Sequence, residues 1–277
     1  MNTADNTILA IDAGNTRVKW GLFDALGGLM EYGACLHSEL TNTILPQTSR
    51  VIISNVAGKS IEATLKKTLP NSTIRWVSAG LEACGVENRY ETPAKLGSDR
   101  WAAVIAAWHI KHAPCVVVNA GTAVTVDALS IHPENNSGIF LGGMILPGLN
   151  LMQQSLGIAT AQLPEKTADS HTDINQHIHH PMNIFATNTV DAIYAGALHA
   201  ILGAINLMAL ELHRHSNTTP HIIISGGNAA IIHQQLIQHH LMDNVTNSAI
   251  IVDNLVLQGL YLLDNFMHQQ FTQSEAL

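Results

Sequence analysis

The sequence predicts an α/β protein of two lobes, and three observations carry that expectation. An apolar run closes on a small polar turn and then resumes, in "ILAIDAGNTRVKWGLFD" from Ile8 to Asp24. The pattern restarts in "CVVVNAGTAVTVDAL", from Cys115 to Leu129. Further strand- and helix-patterned segments follow each unit, so the chain reads as a diverged internal duplication.

The first unit has the character of a tight antiparallel hairpin. Ile8 to Ile11 and Val18 to Phe23 are apolar with β-branched content, and they lie too close for a crossover helix. Gly14 permits a left-handed backbone and close approach by another group. Asn15 and Thr16 add small donors beside backbone N–H groups, a setting that cradles anions such as phosphate. Asp12, at the strand end, suits a hydrated Mg²⁺, which binds through one or two carboxylates plus phosphates. Alone, this stretch fits an unliganded Asp-x-Gly turn equally well. The second turn, "NAGT", repeats the theme of "DAGNT". Two facing anion-binding turns from two half-molecules would clamp a polyphosphate.

The remaining elements follow in order. Val51–Val56 reads as a strand and Ile61–Leu69 as a helix stopped by Pro70. Thr73–Ser78 is a further strand, and Asp99–Lys111 a helix buried on most sides. After the second hairpin, Gly138–Gly148 reads as a strand ending in a Gly/Pro turn. A polar loop over about Pro164–Met182 precedes a long apolar helix, Asn188–His215, with Asn188 and Asp191 suited to its N-terminus. Strand, Gly-Gly turn and helix follow in "HIIISGGNAAIIHQQLIQHH", and a last helix lies in "VDNLVLQGLYLLDNF".

Composition bounds the function. The chain has 277 residues, 47% hydrophobic and 12% charged, which is a globular and not a disordered composition. A net charge of −8 argues against a broad nucleic-acid surface and leaves room for small anionic ligands. No apolar stretch reads as long and clean enough to span a bilayer, and "MNTADNT" lacks the basic start of a signal peptide. Cys35, Cys84 and Cys115 show no paired spacing, so reduced thiols and a cytoplasmic location are expected. Of the 16 histidines, the tract His171–His180 reads as a solvated loop, and His233, His239 and His240 as surface residues.

Six segments in order, "DAGNTRVKWG", "YETPAKLGSDRWAAVIAA", "AGTAVTVD", "GGMILPG", "NTVDAIYAG" and "ISGGNA", resemble type III pantothenate kinase, a family of the actin/hexokinase-type ATPase superfamily. They run from Ile8 to about Leu260, and Gly97-Ser98-Asp99-Arg100 is the most specific element. The resemblance implies two ribonuclease H-like (actin-like ATPase) lobes, mixed five-stranded sheets with flanking helices. It implies lobes over 1–114 and 115–277, the second with a dimerisation helix. It also implies a homodimer and ATP-dependent phosphorylation of pantothenate to 4'-phosphopantothenate, the first step of coenzyme A biosynthesis.

Residue by residue, Asp12, Ala13, Gly14, Asn15, Thr16, Arg17, Val18 and Lys19 resemble the first ATP phosphate loop, with Asp12 holding Mg²⁺ through water. Thr122 resembles the ATP-contacting threonine of the second loop, and Gly226 and Gly227 the pair that lets adenosine pass close to backbone. Tyr90, Gly97, Ser98, Asp99 and Arg100 match the pantothenate site. Asp99 matches the family's proton acceptor, and Arg100 offers a planar fork to an anionic group. Thr189 matches a threonine that reaches pantothenate from the second subunit. The family's K⁺ (or NH₄⁺) site carries an aspartate where this chain has Asn119.

Two other functions fit less of the sequence. A Bvg accessory factor-like transcription regulator has no need of intact Asp12, Asp99, Arg100 and Thr122. A sugar or acetate kinase of the superfamily does not account for the Gly97–Arg100 element or the small size.

Overall fold

The computed structural model describes residues 7–159, 184–238 and 249–274. The predicted first hairpin forms from β1 (Ile8–Ala13) and β2 (Arg17–Phe23), paired antiparallel from Ile8↔Phe23 to Ala13↔Val18. β1 is buried at every position, as a central strand should be. β3 (Leu29–Leu36) extends β2, and β4 (Arg50–Asn55) and β5 (Thr73–Trp76) add in parallel on the other side, giving the order β3-β2-β1-β4-β5. α1 (Lys59–Thr68) connects β4 to β5 and buries Ile61 and Leu65 in a core with Leu9, Ile11, Val51 and Ile53.

β3 was not expected from the sequence. It is an edge strand with six of eight residues exposed, so backbone pairing to β2 defines it and no burial pattern marks it.

Two short strands, β6 (Glu82–Ala83) and β7 (Val86–Asn88), precede a 3₁₀ turn at Pro93–Lys95 and α2 (Ser98–Lys111). The second expected hairpin follows as β8 (Cys115–Ala120) and β9 (Ala123–Ile131), with β10 (Gly138–Pro147) after it. Then come α3 (Leu149–Ala159), α4 (Thr189–Ser216), β11 (His221–Ser225), α5 (Ala229–Gln238), β12 (Ala249–Ile251) and α6 (Leu255–Ser274). The second sheet has the order β12-β11-β8-β9-β10-β7-β6. It therefore holds seven strands where five were expected, because the very short β6 and β7 add to its β10 edge. His171–His180, Pro164–Met182, His239 and His240 lie outside the described residues. His233 is half-buried, its Nε2 3.1 Å from the Ala249 carbonyl, so it is more than a solvated surface residue.

The chain forms two compact units that a single cut at 114 does not separate. One comprises 1–112, 131–141 and 254–277, and the other 113–130 and 142–253. The physical reason is α6, which returns to the first unit. Gly259 lets it close on α2, since a Cβ there would overlap the Ala102 carbonyl. Buried Asp264 then accepts from Arg50 Nη2 at 2.6 Å and Arg75 Nη1 at 2.7 Å, tying α6 to β4 and β5. Such a pair is costly to break once buried.

α4 corrects the membrane expectation as far as length goes. Its 28 residues are long and apolar enough to cross a bilayer by composition. Eight of them, including Leu198, Ile201, Leu202, Ile205 and Leu212, are buried at helical spacing, the pattern of a helix with one face in a core.

Candidate active site

In the first unit, Asp12, the penultimate residue of β1, faces Lys19 directly across the hairpin and lies beside Ser54 of β4 in parallel register. Asp12 is buried, and its Oδ1 has no hydrogen-bond partner. Burial pushes its pKa up to about 7, the Asp99 charge adds to the rise, and Lys19 opposes it. A buried carboxylate oxygen without a donor calls for a cation. The donor set, one carboxylate at the foot of a phosphate-type turn, fits hydrated Mg²⁺. Among the described residues no group of three or more His, Cys, Asp or Glu forms an all-protein metal cage.

The turn beyond Asp12 is held at both groups of Gly14. Its N–H donates to the Arg17 carbonyl at 3.1 Å, and its carbonyl lies 2.8 Å from His37 Nε2. Asn15, Thr16 and Arg17 are exposed. Gly14 does not use its left-handed freedom, and a Cβ there would make ordinary contact with the Arg17 carbonyl at 3.5 Å. The glycine leaves bare backbone at the turn, and nothing in the fold demands it.

The start of α2 supplies the second carboxylate. Gly97 caps the helix, and a Cβ there would sit 2.6 Å from Asp99 Oδ1. That oxygen accepts from the Arg100 backbone N–H at 2.8 Å, so the carboxylate folds over the helix's first turn, where the macrodipole favours it. Ser98 Oγ and Ser54 Oγ, both buried, are 2.8 Å apart. Arg100 is 6% exposed, and its guanidinium lies 5.8 Å from the Tyr90 ring centroid and 5.9 Å from that of Phe140. The two rings are 6.2 Å apart and nearly parallel. This packing desolvates the fork and limits its rotation. Asn88 Oδ1 accepts from the Tyr90 N–H at 3.0 Å, which sets the strand end that carries the ring.

In the second unit, Asn119 near the end of β8 pairs with Ser225 of β11 and Thr125 of β9. The Thr122 carbonyl accepts from the Gly148 N–H at 2.8 Å, which packs the "LPG" turn on "AGT". Gly226 has φ +101, and a Cβ there would meet Ala120 backbone atoms at 2.6–2.9 Å, so only glycine fits. Gly227 has nothing within 4 Å of a built Cβ. Asn119, Thr122, Gly226 and Gly227 thus gather at the carboxyl end of β8 and β11, where open α/β sheets bind ligands. Thr189 is exposed on a different element, as the first residue of α4. The expected cap precedes it, with Asn188 Oδ1 accepting from the Asp191 N–H at 2.9 Å.

Within the first unit Asp99 lies close enough for its charge to act on Asp12, and Arg100 lies against the Tyr90 ring. Sequence reasoning missed His37, Ser54 and Phe140. Ser54 leaves a signal, a polar break in an otherwise apolar strand. Phe140 and His37 leave none, because each meets its partner only through the fold.

The family model for type III pantothenate kinase matches residues 8–211. The chain belongs to the type III pantothenate kinase family. It is 42% identical over 259 residues to a type III pantothenate kinase of Nitrosospira multiformis, covering 91% of this chain and 89% of that one. Its fold is similar to that of a putative Baf family transcriptional activator from Campylobacter jejuni (TM-score 0.57, 20% identity, covering 97% of this chain and 100% of that one). It is also similar to a putative N-acetylmannosamine kinase from Listeria monocytogenes (TM-score 0.53, 15% identity, covering 95% and 99%). These two likenesses show a shared fold. The family establishes that the chain is a kinase, with ATP as the phosphoryl donor. The regulator reading is not favoured.

Proposed function

We propose that this chain transfers the γ-phosphoryl group of ATP to the primary hydroxyl of pantothenate, the first step of coenzyme A biosynthesis. The observation that supports it most is the pairing of two carboxylates in unlike settings. Asp12 is buried with an orphaned oxygen, while Asp99 sits half-exposed at a helix start and close enough for its charge to raise the Asp12 pKa.

The division of labour follows from that contrast. Asp12 holds Mg²⁺ through water, and the ion neutralises phosphate charge when bound. Asn15 and Thr16 donate to phosphate oxygens, and Lys19 adds positive charge beside Asp12. Asp99 accepts the proton of the pantothenate hydroxyl as the P–O bond forms. Arg100, packed near the Tyr90 and Phe140 rings, binds the pantothenate carboxylate. Thr122, Gly226 and Gly227 are nucleotide residues of the second unit. Thr189 serves the neighbouring subunit of a homodimer. A K⁺ or NH₄⁺ ion binds at Asn119 through the amide oxygen.

The test is an ATP-consumption panel with pantothenate, hexoses and acetate as acceptors. Turnover confined to pantothenate is expected. Hexose or acetate turnover would transfer the reading to another kinase of the superfamily.

A further inference from the structure

We propose that His37 is a positioning residue for the ATP phosphates, acting through the backbone of the β1–β2 turn. The proposal rests on reading that turn as the phosphate loop. His37 follows β3, far from the turn in sequence, yet its Nε2 lies 2.8 Å from the Gly14 carbonyl. A carbonyl oxygen only accepts, so Nε2 carries the proton and donates.

The consequence falls on the next residue. The peptide unit joining Gly14 to Asn15 is trans and planar, so its C=O and N–H point in opposite directions. Pinning the Gly14 carbonyl on His37 therefore turns the Asn15 N–H away from the imidazole. The Gly14 N–H is already committed to the Arg17 carbonyl at 3.1 Å. Both peptide planes flanking Gly14 are then fixed before any ligand arrives. A glycine hinge with neither constraint would have to order itself on binding.

The segment presenting His37 is itself anchored. The Leu36 N–H donates to Glu39 Oε2 at 2.8 Å, and the Glu39 N–H to the Leu36 carbonyl at 3.0 Å. Cys35 and Leu40, on either side, are buried in the core of the first sheet. The imidazole is thus a fixed strut between that core and the turn, on the side of the Gly14 carbonyl.

The experiment compares His37→Leu, which has no donor, with His37→Gln, whose amide can still donate. Kinetics give KM for ATP and for pantothenate, calorimetry gives Kd for a Mg²⁺-bound non-hydrolysable ATP analogue, and thermal melts give stability. In His37→Leu, the KM for ATP and the analogue Kd should rise about five- to tenfold, the worth of one lost hydrogen bond. The KM for pantothenate should stay within about twofold, and His37→Gln should recover most of the nucleotide affinity. A folded His37→Leu with unchanged analogue Kd and only a lower Tm would overturn the proposal and leave His37 as a staple. Equal rises in both KM values, or no recovery with Gln, would overturn it too. If the wild type binds the analogue without phosphorylating pantothenate, the functional reading fails while the calorimetric comparison still decides the role of His37. If it binds no nucleotide, both fail.

Discussion

Ser54 Oγ lies 2.8 Å from Ser98 Oγ with both residues buried, and this contact joins the strand beside Asp12 to the helix turn that carries Asp99. The two carboxylates repel, and the Asp99 charge contributes to the raised Asp12 pKa. The hydroxyl pair holds their supports together against that repulsion. Removing it leaves a buried partner unsatisfied and frees the first turn of α2 to shift.

Ser54→Ala should therefore lower kcat about three- to tenfold. KM for ATP should change little, because the β1–β2 turn keeps its own bonds. Steady-state kinetics with both substrates varied check this, and an effect on stability alone would reduce Ser54 to a packing residue.

Asp12→Asn should abolish turnover by at least about 10²-fold while stabilising the ligand-free protein at pH 8. The folded pKa of about 7 lies above the ordinary 3.8, so the folded state retains a proton that the unfolded state has lost. Stability from this group falls as pH rises from about 4 to about 7 and stays low above that. The Tm advantage of Asp12→Asn should thus be largest at pH 8, by a few degrees, and shrink towards pH 5. Melts across that range without Mg²⁺ measure it. An advantage that does not vary with pH would mean that Asp12 is not a buried ionised group.

Arg100→Lys keeps the charge and loses the planar fork that packs against Tyr90 and Phe140. KM for pantothenate should rise at least about tenfold, with KM for ATP held within about twofold. Phe140→Leu should raise the pantothenate KM less, about two- to fivefold, because the Tyr90 face remains. Equal effects on both substrates would place Arg100 outside the pantothenate subsite.

Asn119→Asp adds a carboxylate at the proposed cation site. One charge–charge interaction is worth up to about 4 kcal/mol at ~4 Å and an effective dielectric near 20, before desolvation reduces it. The K⁺ concentration for half-maximal activity should fall, read from titrations at constant ionic strength with choline as the balancing ion. Identical half-saturation in both proteins would free position 119 from control of the cation.

Much of this fold could be read from the chain because its central strands are apolar runs between turn residues. β1, β4, β8 and β11 carry that signal, and α2 and α4 carry helical spacing with Asn188 as a visible cap. β3 escaped because an exposed edge strand is held by backbone bonds, which leave no side-chain period. The return of α6 to the first unit escaped because Gly259 and Asp264 find Ala102, Arg50 and Arg75 across most of the chain's length. The site divides the same way. Asp12, Asp99 and Arg100 sit in contiguous motifs, whereas His37, Ser54 and Phe140 support them from distant segments.

In the proposed reaction Asp99 takes the proton from the pantothenate hydroxyl. The direct measurement is kcat for pantothenate phosphorylation by wild type and Asp99→Asn, with fold confirmed by circular dichroism and nucleotide affinity by calorimetry. A folded, nucleotide-binding variant whose kcat is lower by about 10²–10⁴-fold is expected. Near-normal turnover in that folded variant would contradict it.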